Sequence, residues 1–286
     1  MYLENHGIPL ERIDHVFSES KRFFDRPLAD KTKLAWKTPE ANRGYVAPGR
    51  ERVSLFQEQA MVAELRLKSP DLKESMEIGN ERNTTYTNNW PEGDDAFRTT
   101  MTEFFDECAS LSRSVMAAIA IGLKLRHDFF DQFIDKADNN LRLLHYPSTE
   151  VSTLDREGQS RAGAHTDYGT VTLLFQDNQG GLEVKNLNGD FVPAKPIRGS
   201  IVVNAGDLLA RWSNDIIKST EHRVVSPPIK PNDSLYPARY SIAYFGNPNP
   251  AAEIACLDGC WSAKTPKKYE AVNAHAYLTS RLAATY

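Results

Sequence analysis

Apolar residues recur at three- and four-residue steps over Leu10, Ile13, Val16, Phe17, Phe23 and Phe24, which predicts an amphipathic helix closing near Pro27. The polar stretch ANRGYVAPGRERVS breaks that pattern, and from there to Trp90-Pro91 the chain reads as an irregular, loop-rich wall. Helical spacing returns at Phe97, Met101, Phe104, Cys108, Leu111, Val115 and Ile119, predicting one long helix that backs the core. Beyond Asn139-Asn140 the texture changes to short β runs: LRLLHYP, GTVTLLFQ, GLEVKN, DFVPAK, SIVVNA, DLLARW, TEHRVVS and ARYSIAYF. Turn signals such as Gly180-Gly181, Asn188-Gly189, Ala205-Gly206-Asp207 and Pro227-Pro228 separate them, so a sandwich or barrel is expected. Thr265 and then Pro266 open a last helix carrying the stripe Tyr269, Val272, Ala276 and Leu278.

The chain has 286 residues, enough for one large domain or two small ones, and its 41% hydrophobic and 25% charged content is that of a globular protein. A formal charge of −4 argues against nucleic acid or anionic membrane as a partner and leaves small molecules. The first residues, MYLENHGIPLERIDH, lack the features of a signal peptide, and no stretch is apolar enough to span a membrane, so a cytoplasmic setting is expected. Cys108, Cys256 and Cys260 are an odd, sparse set suited to a reducing compartment, and they read as packing residues.

Seven histidines are present. His6, His15, His127 and His275 read as surface or satisfied core groups, and His145 falls on the strand face opposite Tyr146. In AGAHTDYGT, by contrast, His165 and Asp167 are two residues apart at a strand end, and His222 in STEHRVV offers a third ligand from another β run. Two imidazoles and one carboxylate with open positions beside them form the facial triad of non-haem Fe(II) oxygen chemistry. Further on, Arg239 and Ser241 share one face of a strand, where a planar guanidinium beside a hydroxyl suits capture of a carboxylate; Tyr146 offers a phenol as a further donor.

The motifs LRLLHYP, GAHTDYGTVTLLFQD, GGLEV, VNAGDLLARWSND, STEHRVV and ARYSIAYF, in this order, resemble the iron- and 2-oxoglutarate-dependent dioxygenase superfamily, in its isopenicillin N synthase and plant oxygenase branch. NHGIP, FFDRPLADK and RGYVAPGRE are similar to that branch's N-terminal region, so the likeness covers nearly the whole chain. The resemblance implies a mainly β fold with flanking α: a double-stranded β-helix, or jelly roll, with a helical N-terminal region and a C-terminal helix. Residues 1–93 would be the non-haem dioxygenase N-terminal region, short or truncated, and 94–286 the backing helices, oxygenase core and last helix, all in one structural unit. The resemblance carries the iron ligands to His165, Asp167 and His222, and the cosubstrate's distal carboxylate to Arg239, Ser241 and Tyr146. Three features depart from the branch: a short lead before NHG, Leu144 where plant members often carry Asn, and a longer interval after His222 holding Pro227, Pro228, Pro231 and Pro237, expected to be a surface turn.

The implied cofactors are Fe(II), 2-oxoglutarate as cosubstrate and O2, with release of succinate and CO2. The implied reaction is hydroxylation, desaturation or ring closure of a small, partly apolar metabolite, in secondary metabolism. Strand alternation places Arg142 on the face of Tyr146 and Phe245 on the face of Arg239, making both candidates for substrate contact, with Tyr45 and Met76 as weaker candidates for the pocket rim. Against Arg142 and Phe245 stand an ordinary salt bridge and an ordinary core contact. Two other readings compete: a 2-oxoglutarate-independent iron oxidase on the same scaffold, and a non-catalytic ligand-binding or sensor protein. Substrate-dependent succinate release separates the leading reading from the oxidase, and the intact triad with Arg239 and Ser241 argues against the sensor.

Overall fold

The structure, a computed structural model, describes residues 1–56, 58–154, 160–226 and 233–286. Two antiparallel sheets face each other as a double-stranded β-helix. The larger has seven strands in the spatial order Tyr2–Leu3, Ile201–Ala205, Val171–Gln176, Arg239–Phe245, Asn140–Tyr146, Glu74–Gly79, Gly44–Val46. The smaller has four, in the order Ala162–His165, His222–Val224, Leu182–Lys185, Phe191–Pro193.

Alternation along the strands of the larger sheet divides two cores. Met76, Ile78, Leu141, Leu143, Leu173, Phe175, Ile242 and Tyr244 turn to the helices, while Leu144, Tyr146 and Ala243 turn to the smaller sheet, where they meet Ala162, Leu182 and Val224. The helical side is closed by Leu10–Phe24 and by the long helix Asp95–Gly122, whose buried stripe is Phe97, Met101, Phe104, Phe105, Cys108, Val115 and Met116. Asp94 caps that helix by accepting the Phe97 N–H at 3.2 Å, and Phe104 meets Phe175 with ring centroids 5.1 Å apart.

Four readings of the sequence change. The wall before Trp90 is not irregular: it contributes the strands Gly44–Val46 and Glu74–Gly79 to the larger sheet and the helix Gln59–Lys68. DLLARW is a helix, Asp207–Trp212, because Leu208, Leu209 and Trp212 are all buried when the segment coils and only alternate ones would be if it were extended. The last helix starts at Ala274, not at Pro266: Asn273 is its cap, accepting the Ala276 N–H at 2.9 Å. Tyr45 and Met76 do not reach a pocket rim. They pair across Gly44–Val46 and Glu74–Gly79 and point into the helical core, where Tyr45 packs on Phe23 and its phenol donates to Glu74. The proline-bearing turn expected after His222 lies, through Pro227, Pro228 and Pro231, outside the described residues. Among the described residues no helix is long and apolar enough to cross a membrane, and Cys108, Cys256 and Cys260 are free thiols.

Candidate active site

His165 ends the strand Ala162–His165, and antiparallel pairing sets His222 directly opposite it, with ring centroids 4.3 Å apart. The chain then leaves the sheet through a tight turn that returns Asp167 to the same place. That turn is fixed by backbone bonds: Asp207 N–H donates to Asp167 O at 2.8 Å, Gly206 N–H to Thr170 O at 2.7 Å and Thr170 N–H to Gly246 O at 2.8 Å. The strands approach so closely that a Cβ on Gly206 would sit 2.3 Å from Gly169 O, and one on Gly169 2.3 Å from Gly246 O. Only glycine fits at either position.

The ring nitrogens are set for coordination. His165 Nδ1 lies 2.8 Å from Gly163 O and His222 Nδ1 lies 3.0 Å from Thr220 O. A carbonyl only accepts, so both Nδ1 atoms carry a proton, and Nε2 is in each ring the atom left for coordination. Asp167 Oδ2 accepts from Asn204 Nδ2 at 2.8 Å, while Oδ1 stands 3.7 Å from His222 Nε2. One ligand atom from each of His165, Asp167 and His222 lies within 4.8 Å of the others. Burial, then the neighbouring His222, pushes the His165 imidazole well below its ordinary value, keeping it neutral. Two imidazoles and a carboxylate leave several coordination positions unused, a donor set that fits Fe(II).

On one side of this group, Arg239 is buried against Tyr146, its guanidinium 4.9 Å from the ring centroid. It donates to Gly180 O at 2.8 Å, Ser241 Oγ at 3.0 Å and Gln176 Oε1 at 3.2 Å. Every one of those acceptors is neutral, and no described carboxylate forms an ion pair with it. A buried cation braced in this way is prepared for an anion. The register sets Arg239 opposite Tyr146 and Ser241 opposite Leu144, so the residues singled out in the sequence do converge.

On the other side lies a cavity of about 350 Å³ whose wall includes His165, Asp167, Arg142, Phe245 and Tyr168. Arg142 is held by Glu77 Oε1 at 2.7 Å and Glu51 Oε1 at 3.1 Å, donates to the Tyr286 hydroxyl at 2.6 Å, and sits 5.5 Å from the Phe245 ring centroid. The salt bridge weighed against a substrate role is therefore present, yet the residue still borders the cavity. His275, read from sequence as surface or core, also borders it. His145 takes the opposite face, stacked 4.5 Å from Tyr240 with Nδ1 2.7 Å from Glu74 Oε1. Sequence reasoning missed Tyr168, whose hydroxyl is 2.8 Å from Thr285 Oγ1, as well as Asn204, Glu51 and Glu77. Adjacency to the H-x-D motif pointed to Tyr168; nothing local pointed to the others.

Two family models match the chain: the 2OG-Fe(II) oxygenase superfamily over residues 137–248, and the N-terminal region of non-haem dioxygenases, described from morphine synthesis, over residues 1–93. A 2-oxoglutarate-Fe(II) type oxidoreductase of Metarhizium rileyi is 40% identical over 99% of this chain and 81% of that relative. A proline hydroxylase of Petromyces alliaceus is 37% identical over 99% of this chain and 88% of its own. The crystal structure of a full-length Neurospora crassa protein in complex with alpha-KG and thymine superposes with a TM-score of 0.90 at 51% identity, covering 100% of this chain and 87% of that one. The chain thus belongs to the 2OG-Fe(II) oxygenase superfamily and is an Fe(II)- and 2-oxoglutarate-dependent dioxygenase that consumes O2.

Proposed function

We propose that His165, Asp167 and His222 hold Fe(II), that Arg239 with Ser241 and Tyr146 receives the distal carboxylate of 2-oxoglutarate, and that the cavity beside Arg142 and Phe245 takes an uncharged pyrimidine base such as thymine. One observation carries the assignment. Along the paired strands Arg239–Phe245 and Asn140–Tyr146, the anion-ready residues occupy one end and the cavity-lining residues the other.

Fe(II) and 2-oxoglutarate together supply the activation of O2, with succinate and CO2 as products. The chain's own residues supply position. The carbonyl-bound Nδ1 protons aim both imidazoles, Asn204 fixes the carboxylate, and Arg239, braced on three sides, sets how far a dicarboxylate can reach. Phe245 offers a flat apolar face, and Arg142 and Asn247 offer polar groups to the edge of a planar ring. The methyl group holds thymine's only sp3 C–H bonds, so hydroxylation there is the expected outcome. Support for thymine comes from the 51% identity to the thymine-bound Neurospora crassa protein together with this wall. We place the enzyme in the cytoplasm, where its free cysteines stay reduced.

The test is succinate release with thymine, uracil or L-proline as candidate substrate, with His165→Ala and Arg239→Ala as controls. Release that depends on thymine and vanishes in both variants supports the reading. Release with L-proline alone replaces the substrate class. Turnover without succinate indicates a 2-oxoglutarate-independent oxidase, and tight thymine binding without any turnover indicates a sensor.

A further inference from the structure

Arg161, the residue before the strand Ala162–His165, is only 1% exposed. Its Nη2 donates to Pro237 O at 2.7 Å, but Nε and Nη1 are buried without a hydrogen-bond partner, and among the described residues no carboxylate pairs with it. Leaving guanidinium N–H groups unsatisfied in the interior is costly, so a chain keeps such a group for a reason. Its surroundings define the reason. Pro237 lies two residues before Arg239, and burial followed by the Arg239 charge pushes the Arg161 guanidinium down, with Tyr146 acting the opposite way. Asp177, the described acidic side chain whose charge reaches Arg161, is already committed: it accepts the Tyr240 N–H at 2.6 Å and the Gln179 N–H at 3.0 Å. Two buried guanidiniums therefore lie close together beside Tyr146, and among the described residues neither forms an ion pair with a carboxylate.

We infer that Arg161 is a second cation for the distal carboxylate of 2-oxoglutarate, its unpaired N–H groups engaging that carboxylate together with Arg239. The inference rests on the cosubstrate reading above. It adds that the apo enzyme holds two like charges together, a repulsion the dicarboxylate relieves. A merely structural arginine, bracing the chain through Pro237, predicts the reverse: its loss weakens the apo fold and leaves cosubstrate selectivity unchanged.

The test compares wild type with Arg161→Met and Arg161→Lys by two readouts. The first is the melting temperature with and without 2-oxoglutarate, in Fe(II) under anaerobic conditions. The second is the titration of the visible iron-to-keto-acid absorption with 2-oxoglutarate and with 2-oxovalerate, which lacks the distal carboxylate. Arg161→Met is expected to melt no lower than wild type without ligand, to lose most of the 2-oxoglutarate-induced rise, and to bind 2-oxoglutarate about tenfold or more weaker. Its affinity for 2-oxovalerate stays within about twofold, since that probe never used the charge. Arg161→Lys, which keeps the cation, recovers part of the 2-oxoglutarate affinity. The inference falls if Arg161→Met melts lower without ligand and keeps its 2-oxoglutarate affinity, or if both oxo acids weaken equally. If wild type shows no 2-oxoglutarate absorption at all, the cosubstrate reading falls first and this inference with it.

Discussion

Replacing Arg142 by Met keeps the length of the side chain and removes its charge. The consequence can be worked from the partners left behind. Glu77 is 0% exposed; among the described residues its Oε1 forms an ion pair with Arg142 Nε at 2.7 Å and accepts from Ser75 Oγ at 2.8 Å, so the variant leaves that carboxylate one neutral donor. Glu51 is better off, because Lys73 Nζ still reaches it at 3.0 Å. Breaking one partner out of a buried ion pair costs about 3–5 kcal/mol. At roughly 2 °C per kcal/mol for a chain of this size, the melting temperature should fall by about 6–10 °C. Glu77 supplies the internal check. Burial already holds its carboxyl above the ordinary value of 4.5, and losing Arg142 raises it further. A carboxyl raised in the fold contributes stability below its unfolded value and loses it as pH rises through the folded one. The deficit of Arg142→Met should accordingly be smaller at pH 5 than at pH 8, and Glu77→Gln introduced beside it should restore part of the loss. Calorimetry on the two single variants and the double variant decides. A fall of less than about 2 °C, or no coupling between the two positions, would refute the ion-pair reasoning.

Asn204→Ala removes the donor to Asp167 Oδ2 and should weaken iron binding about 10–100-fold, measured by competition with a chelator, while 2-oxoglutarate affinity at saturating iron holds. Gly206→Ala forces a Cβ to within 2.3 Å of Gly169 O, so the Asp167 turn must shift, costing about 1–3 kcal/mol of stability by denaturant titration together with iron affinity. Glu74 is a pH probe of the fold: burial alone would raise its carboxyl, yet His145, Lys31 and Tyr45 hold it below 4.5. Its contribution is therefore complete above 4.5 and lost as pH falls through the lower folded value, so acid unfolding of Glu74→Gln should be shallower in that window. Because Arg239 is braced by Gly180, Ser241 and Gln176 and cannot retreat, 2-oxoadipate, one methylene longer than 2-oxoglutarate, should compete at least about tenfold more weakly in the absorption titration. Gln176→Ala should relax that preference.

That His165 and Asp167 would come together, and Arg239 with Ser241, was legible because each pair rests on a local rule. His165 and Asp167 stand two apart at a strand end, and Arg239 and Ser241 are separated by the period of a strand, so neighbours in sequence fix their direction. Where local signals were ambiguous the reading slipped. ESMEIG alternates, but the residues facing the site are Ser75 and Glu77, both buried, and a strand that buries a carboxylate does not look like one until Arg142 is seen across it. DLLARW is too short for periodicity to separate helix from strand. Pro266 imitates a helix start, while the true cap, Asn273, depends on where the chain meets Ala252, whose carbonyl accepts the Ala274 N–H at 2.9 Å. Asn204, Glu51 and Arg161 owe their roles to partners distant in sequence.

Arg142 and Arg239 occupy the same face of the same pair of strands, are both buried, and are treated in opposite ways. Arg239 is given carbonyl, hydroxyl and amide oxygens, all neutral. Arg142 belongs to a closed set in which it, Lys73 and Arg52 face Glu51, Glu77 and Asp71, three cations against three carboxylates. A cation held by neutral groups keeps its field for a ligand; one neutralised by carboxylates retains hydrogen-bond geometry and aromatic contact but little net attraction for an anion. The two ends of the site thus select by charge. On the proposed assignment a dicarboxylate gains more beside Arg239 than beside Arg142, which sorts cosubstrate from substrate. By the same reasoning Arg142, already paired with Glu51 and Glu77, adds little net attraction for a carboxylate and, on the proposed assignment, serves a substrate through hydrogen bonding and its contact with Phe245.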